Sequence, residues 1–116
     1  MAETTRTPTA TITRDELRAK IERGDDFALF EVLPTMYWRK HHLPGARSLP
    51  PDQVRELVPR LVPDRSAEIV LYCWDLACPT ATRAARELAS MGYTNVKDYD
   101  EGKKDWIDHG LPMRRD

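Results

Sequence analysis

The run Glu68-Ile69-Val70-Leu71-Tyr72-Cys73, continued by Trp74-Asp75-Leu76-Ala77-Cys78-Pro79-Thr80, decides the architecture of this 116-residue chain. A strand with one wet face alternates polar and apolar side chains. An uninterrupted apolar run such as the one ending at Cys73 reads instead as a strand buried on both faces, as in a parallel sheet. Residues 74–78 then form a loop, and a helix is expected over residues 79–91. Its Ala81, Ala84, Ala85 and Leu88 share one face, and Gly92 closes it.

The same grammar extends outward in both directions. Upstream, Phe27-Ala28-Leu29-Phe30-Glu31-Val32-Leu33 is bounded by Asp25-Asp26 and Pro34 and reads as another buried strand. Ahead of it, Thr13-Arg14-Asp15-Glu16 is a capping box, Leu17 and Ile21 supply a core-facing pair, and Gly24 ends the helix. Residues 34–42 are expected to form a short helix with Pro34 in its first position. Leu43-Pro44-Gly45-Ala46 is a turn, and Arg47-Ser48-Leu49 is briefly extended. Pro50-Pro51-Asp52 opens a helix whose Val54, Leu57, Val58 and Leu61 are all expected on the core face. Downstream, residues 93–99 give a further strand, and residues 103–109 a last short helix centred on Trp106 and stopped by Gly110. Strands alternating with helices imply an α/β fold, its parallel sheet covered on both faces.

Length and composition suit one globular domain, with 41% hydrophobic and 32% charged residues. Residues 1–10 read as a disordered Thr-rich tail and residues 11–116 as the domain. The 18 basic and 19 acidic residues are interspersed and sum to −1, which gives no basic face for nucleic acid or an acidic membrane. No stretch approaches the ~20 apolar residues of a membrane span. The start carries Glu3 and lacks the apolar core of a secretory signal. Two cysteines in such a chain argue for a reducing compartment, the cytoplasm, and against a disulfide scaffold.

In parallel sheets ligands bind outside the carboxyl ends of the strands, and Cys73 falls at that edge. A thiol is nucleophilic as its thiolate, and a free cysteine has a pKa of about 8.5. A loop curling from Cys73 to a helix N-terminus supplies amides and a dipole that favour a thiolate or a persulfide anion. The same cradle suits an anionic substrate such as a sulfur oxyanion, a phosphate or an arsenate. Position alone leaves a second reading open, a buried structural cysteine, because free Cys is among the most buried residue types.

Short motifs in order along residues 11–114 resemble the rhodanese superfamily. Leu29-Phe30-Glu31-Val32 resembles the strand that usually ends in Asp-Val, and His42-Leu43-Pro44-Gly45-Ala46 resembles the family's His-Ile-Pro-Gly-Ala turn. Tyr72-Cys73 is similar to the strand end that carries the nucleophile. Ala84-Ala85, Leu88, Gly92-Tyr93, Asn95-Val96, Gly102, Trp106 and Gly110-Leu111-Pro112 follow with familiar spacing. The resemblance implies a three-layer fold with a central parallel sheet of about five strands and helices on both faces. It implies sulfurtransferase chemistry, in which the cysteine takes a sulfane sulfur from a donor as a persulfide and passes it to a nucleophilic acceptor. On this reading Cys73 is the nucleophile, and Trp74, Asp75, Leu76, Ala77, Cys78, Pro79 and Thr80 form the anion-binding loop. It implies no cofactor; the partners are a small sulfur-containing donor or acceptor, or a protein sulfur acceptor.

The loop departs from the family pattern. The common loop has about six residues from the cysteine, often with a glycine and a basic residue; this one is longer by about two. It contains no Gly or Arg and carries Asp75, whose charge would oppose an anionic donor and raise the thiol pKa. Arg83, on the following helix, is a candidate charge near the site. Thiosulfate is therefore a poor expectation as donor. The loop length resembles that of rhodanese-related cell-cycle phosphatases, which need an Arg where this chain has Ala81 or Thr82. Glu31 replaces the usual Asp, and Leu33 stands where many relatives have Arg. Cys78 is a candidate resolving thiol for a Cys73 persulfide or sulfenate, or simply a small residue ahead of Pro79. Two alternatives accompany the enzyme reading: a non-catalytic binding module, and a thiol redox switch of Cys73 and Cys78.

Other constellations carry less. His41, His42 and His109 lack conventional zinc spacing with the cysteines, so no metal is expected. His42 is expected to orient the Pro44-Gly45 turn by a hydrogen bond, and His41 to face solvent. Tyr37-Trp38-Arg39-Lys40 reads as a helix with one buried ring, Lys103-Lys104 and Arg114-Arg115 as ordinary surface charge, and Trp106 as packing. Trp74, directly after Cys73, is a candidate wall of the site or equally a structural contact.

Overall fold

A computed structural model describes residues 10–115, so most of the expected tail lies outside the described residues. The chain runs β1 (Ala10–Thr11), α1 (Arg14–Arg23), β2 (Ala28–Glu31), α2 (Thr35–Lys40) and β3 (Arg47–Ser48). A 3-10 turn at Pro51–Gln53 leads into α3 (Val54–Leu61). Then come β4 (Ile69–Tyr72), α4 (Thr80–Ser90), β5 (Val96–Tyr99) and α5 (Gly102–Asp108). All five strands are parallel, in the order β1-β5-β4-β2-β3.

β4 lies in the middle, with Tyr72 in register between Glu31 of β2 and Tyr99 of β5. Successive strand residues face opposite sides of a sheet. Ile69, Leu71 and Cys73 therefore join a cluster with Val54 and Val58 of α3 and Ala81, Ala84, Ala85 and Leu88 of α4. Val70 and Tyr72 join a second cluster with Leu17 of α1 and Trp106 of α5. This two-sided burial is what the unbroken apolar run of β4 requires, and the result is the expected three-layer α/β arrangement. Small alanines on α4 let that helix lie close to the sheet.

Local signals hold where they are strongest. The Thr13 hydroxyl accepts from the Glu16 amide at 3.1 Å, and the Glu16 carboxylate accepts from the Thr13 amide at 2.9 Å. Gly24 ends α1 at φ 71°, where a side chain would clash with the following carbonyl.

Some expectations are corrected. Leu61 is 41% exposed rather than in the core. The chain leaves α3 through an extended Val62, and Val62 takes the buried place instead. Strand β5 begins at Val96 rather than at residue 93. Tyr93 is held before it by its hydroxyl, which donates to the Val62 carbonyl at 2.7 Å. His41 is half-buried, because the backbone leaves α2 extended there to pair His42 with Arg114. The His42 ring stacks on Trp38, centroids 4.1 Å apart, and its Nδ1 lies 2.8 Å from the Trp38 carbonyl. Trp38 also reaches the turn, its Nε1 donating to the Ala46 carbonyl at 2.9 Å.

Candidate active site

β4 delivers Cys73 to the carboxyl edge of the sheet, where it is 2% exposed. Beyond it the loop turns outward: Trp74 is 40% and Leu76 70% exposed. Asp75 then folds the loop back. Its Oδ1 accepts from the Ala77 amide at 3.0 Å, and its carbonyl accepts from the Cys78 amide at 3.1 Å. This Asx-type turn carries Cys78 over the strand end. The Cα atoms of Cys73 and Cys78 are 6.3 Å apart, within disulfide reach, and the two sulfurs are bonded. The bond closes the loop between β4 and α4, with Cys73 inside one core cluster and Cys78 packed against it.

The turn changes the arithmetic of the expected anion-binding loop. Asp75 engages the amides of Ala77 and Cys78, and Pro79 has none, which leaves Trp74, Asp75, Leu76 and Thr80 as backbone donors. One oxygen of the Asp75 carboxylate is thus met inside the loop.

The side chain that does reach the sulfur is Thr80, the first residue of α4. Its Oγ1 lies 2.9 Å from Cys73 Sγ, 3.5 Å from Cys78 Sγ and 2.7 Å from the Val32 carbonyl. A hydroxyl has one proton, so Val32 and the sulfur compete for it, and a thiolate competes best. The positive end of the α4 dipole adds to that preference. Arg83 sits one turn further along α4 and is exposed.

Beneath the loop is a buried polar cluster. Lys103 is 1% exposed, which overturns its reading as surface charge. Its Nζ lies 2.9 Å from Glu31 Oε1 and donates to the Tyr37 carbonyl at 3.0 Å. The Tyr72 hydroxyl donates to the same Glu31 oxygen at 2.8 Å and accepts from the Leu43 amide at 3.1 Å. Burial, reinforced by the Glu31 charge, holds the Tyr72 phenol well above its usual range, so it stays a proton donor. The missed signal was Glu31 itself: a carboxylate in a buried strand needs a cation, and Lys103 is what the fold supplies.

The backbone of α5 fastens the loop to this base. The amides of Lys103 and Lys104 donate to the carbonyls of Cys73 and Trp74 at 2.9 and 2.8 Å. Gly102 makes the approach feasible, for its φ is 78° and a Cβ there would lie 2.6 Å from the Trp74 oxygen. Among the described residues there is no metal-ligand cluster, and no helix is long and apolar enough to cross a membrane.

Comparison with known proteins bears on the fold and the family. The chain is 34% identical over 106 residues to an HTH-type transcriptional regulator of Mycobacterium tuberculosis. That alignment covers 91% of this chain and 45% of the regulator, so the chain spans less than half of that relative. A thiosulfate sulfurtransferase from Pseudomonas aeruginosa superposes with a TM-score of 0.82 at 17% identity, over 91% of this chain and 20% of the other. A rhodanese-related protein from Thermoplasma volcanium gives 0.77 at 18%, over 92% of this chain and 99% of the other. At these identities the structural likeness is one of fold. The rhodanese-like domain model matches residues 13–109, from the capping residue of α1 to the end of α5, and the chain belongs to that family.

Proposed function

We propose that this domain is a sulfurtransferase or sulfur carrier that moves a sulfane sulfur through a persulfide on Cys73. The carrying observation is the Thr80 hydroxyl 2.9 Å from Cys73 Sγ at the N-terminus of α4, an arrangement that favours the nucleophilic thiolate. The donor is a small persulfide in preference to thiosulfate, since the loop has no Arg and Asp75 occupies two of its amides. A reducing, cytoplasmic setting would keep both thiols available.

The test is anaerobic incubation of reduced protein with thiosulfate or with a low-molecular-weight persulfide, followed by intact-mass spectrometry and hydrosulfide assay. Wild type and Cys78→Ser are expected to take sulfur from the persulfide, retained or released, and Cys73→Ser to take none. Equal uptake by Cys73→Ser, or uptake by no chain, overturns the reading.

Two observations favour other roles. The Cys73–Cys78 bond suits a thiol redox switch, for which mild peroxide should form the disulfide through a Cys73 sulfenate. The kinship with a transcriptional regulator suits a non-catalytic module and leaves a nucleic-acid partner open. The interspersed charge of this chain argues against direct contact with that partner.

A further inference from the structure

We infer that the acceptor of the Cys73 sulfur is internal: Cys78 discharges the persulfide, so that the domain reduces sulfane sulfur to hydrosulfide and ends as the Cys73–Cys78 disulfide. The inference rests on the persulfide reading above and names the fate of the sulfur.

Three observations carry it. The loop already places the Cys78 sulfur in bonding contact with that of Cys73, and the Asp75 turn holds Cys78 there through two hydrogen bonds. A nucleophile held at such range acts at a very high effective concentration, ahead of any acceptor arriving from solution. Second, Cys73 is almost fully buried while Cys78 is partly exposed, so in the disulfide it is Cys78 that an external dithiol can reach to restore both thiols. Third, three of the seven loop positions offer no free amide to a persulfide anion. Storage calls for amides converging on the outer sulfur, and the amides of Ala77 and Cys78 are taken by Asp75 while Pro79 has none. The Thr80 hydroxyl, in reach of both sulfurs, serves whichever carries the charge.

The steps balance. The Cys73 thiolate attacks the sulfane sulfur of a donor persulfide, the donor's S–S bond breaks, and the donor leaves as a thiol. The Cys78 thiolate then attacks Cys73 Sγ. The bond from Sγ to the outer sulfur breaks, and that sulfur leaves with the electron pair as hydrosulfide. Two thiols have been oxidised to one disulfide and one sulfane sulfur reduced to sulfide. A further turnover needs an external dithiol to reduce the disulfide.

The test is a single turnover of anaerobic, fully reduced protein with a low-molecular-weight persulfide and no added thiol. Wild type should release one hydrosulfide per chain, lose both free thiols and finish two hydrogens lighter. Cys78→Ser should stop with one extra sulfur atom on Cys73 and lose hydrosulfide release. Wild type that keeps the extra sulfur on Cys73 and the free thiol of Cys78 overturns the inference and leaves the persulfide reading standing, as does hydrosulfide release by Cys78→Ser at the wild-type rate. Absence of sulfur uptake by either chain overturns both together. The thiol count and mass of wild type decide the matter even if the variant is unstable.

Discussion

On the proposed reading, Thr80 is where one atom sets the reactivity of Cys73. Its hydroxyl stands between the Val32 carbonyl and Cys73 Sγ, and a hydrogen bond to a charged acceptor contributes roughly 1.5–3 kcal/mol. Thr80→Val keeps the shape and removes the donor. It should move the pH midpoint of Cys73 alkylation in reduced protein upward by about one to two units, since one unit corresponds to about 1.4 kcal/mol. An unchanged midpoint would mean that the α4 dipole and backbone amides suffice. The position of Cys73 at the carboxyl edge of the sheet was legible in the sequence because an apolar strand ends in it. The Thr80 hydroxyl and the Lys103 ammonium were not. Each acts on a partner far along the chain, Val32 for one and Glu31 for the other, and such pairings exist only once strands have neighbours.

Among the elements, α5 is short but fixes the loop after β4, because its first amides grip the carbonyls of Cys73 and Trp74. Gly102→Ala tests that grip. A Cβ at φ 78° costs about 1–2 kcal/mol in backbone strain, and the contact 2.6 Å from the Trp74 oxygen must push the loop outward as well. Lower stability in a urea titration and faster reduction of the Cys73–Cys78 bond by a small dithiol are expected together. A loss of stability with an unaltered reduction rate would show that α5 supports the fold without holding the loop. Capped or amphipathic helices were readable from sequence because their signals are local. β1 and β3 have two residues each, and only pairing with β5 and β2 makes them strands. The Ala10–Thr11 segment therefore showed as the start of order and not as part of the sheet.

Across the whole molecule, the Glu31–Lys103 pair joins β2, in the sheet, to α5 and, through the Tyr37 carbonyl, to α2. Removing one member leaves a charge stranded in the interior. Lys103→Met should cost about 3–5 kcal/mol in urea denaturation, and adding Glu31→Gln should recover much of that loss. Simple additivity of the two changes would show that the ions do not depend on each other. The layered architecture was legible from the alternation of apolar runs with helical periodicity, whereas the polar joint between the layers was hidden by the habit of placing lysines outside. The two-residue strands bounding the sheet have a different consequence. An outer strand of this length offers an incoming peptide only one or two ladder hydrogen bonds, too few to template stacking of chain upon chain. Among the described residues, edges this short work against strand-to-strand stacking of crowded copies.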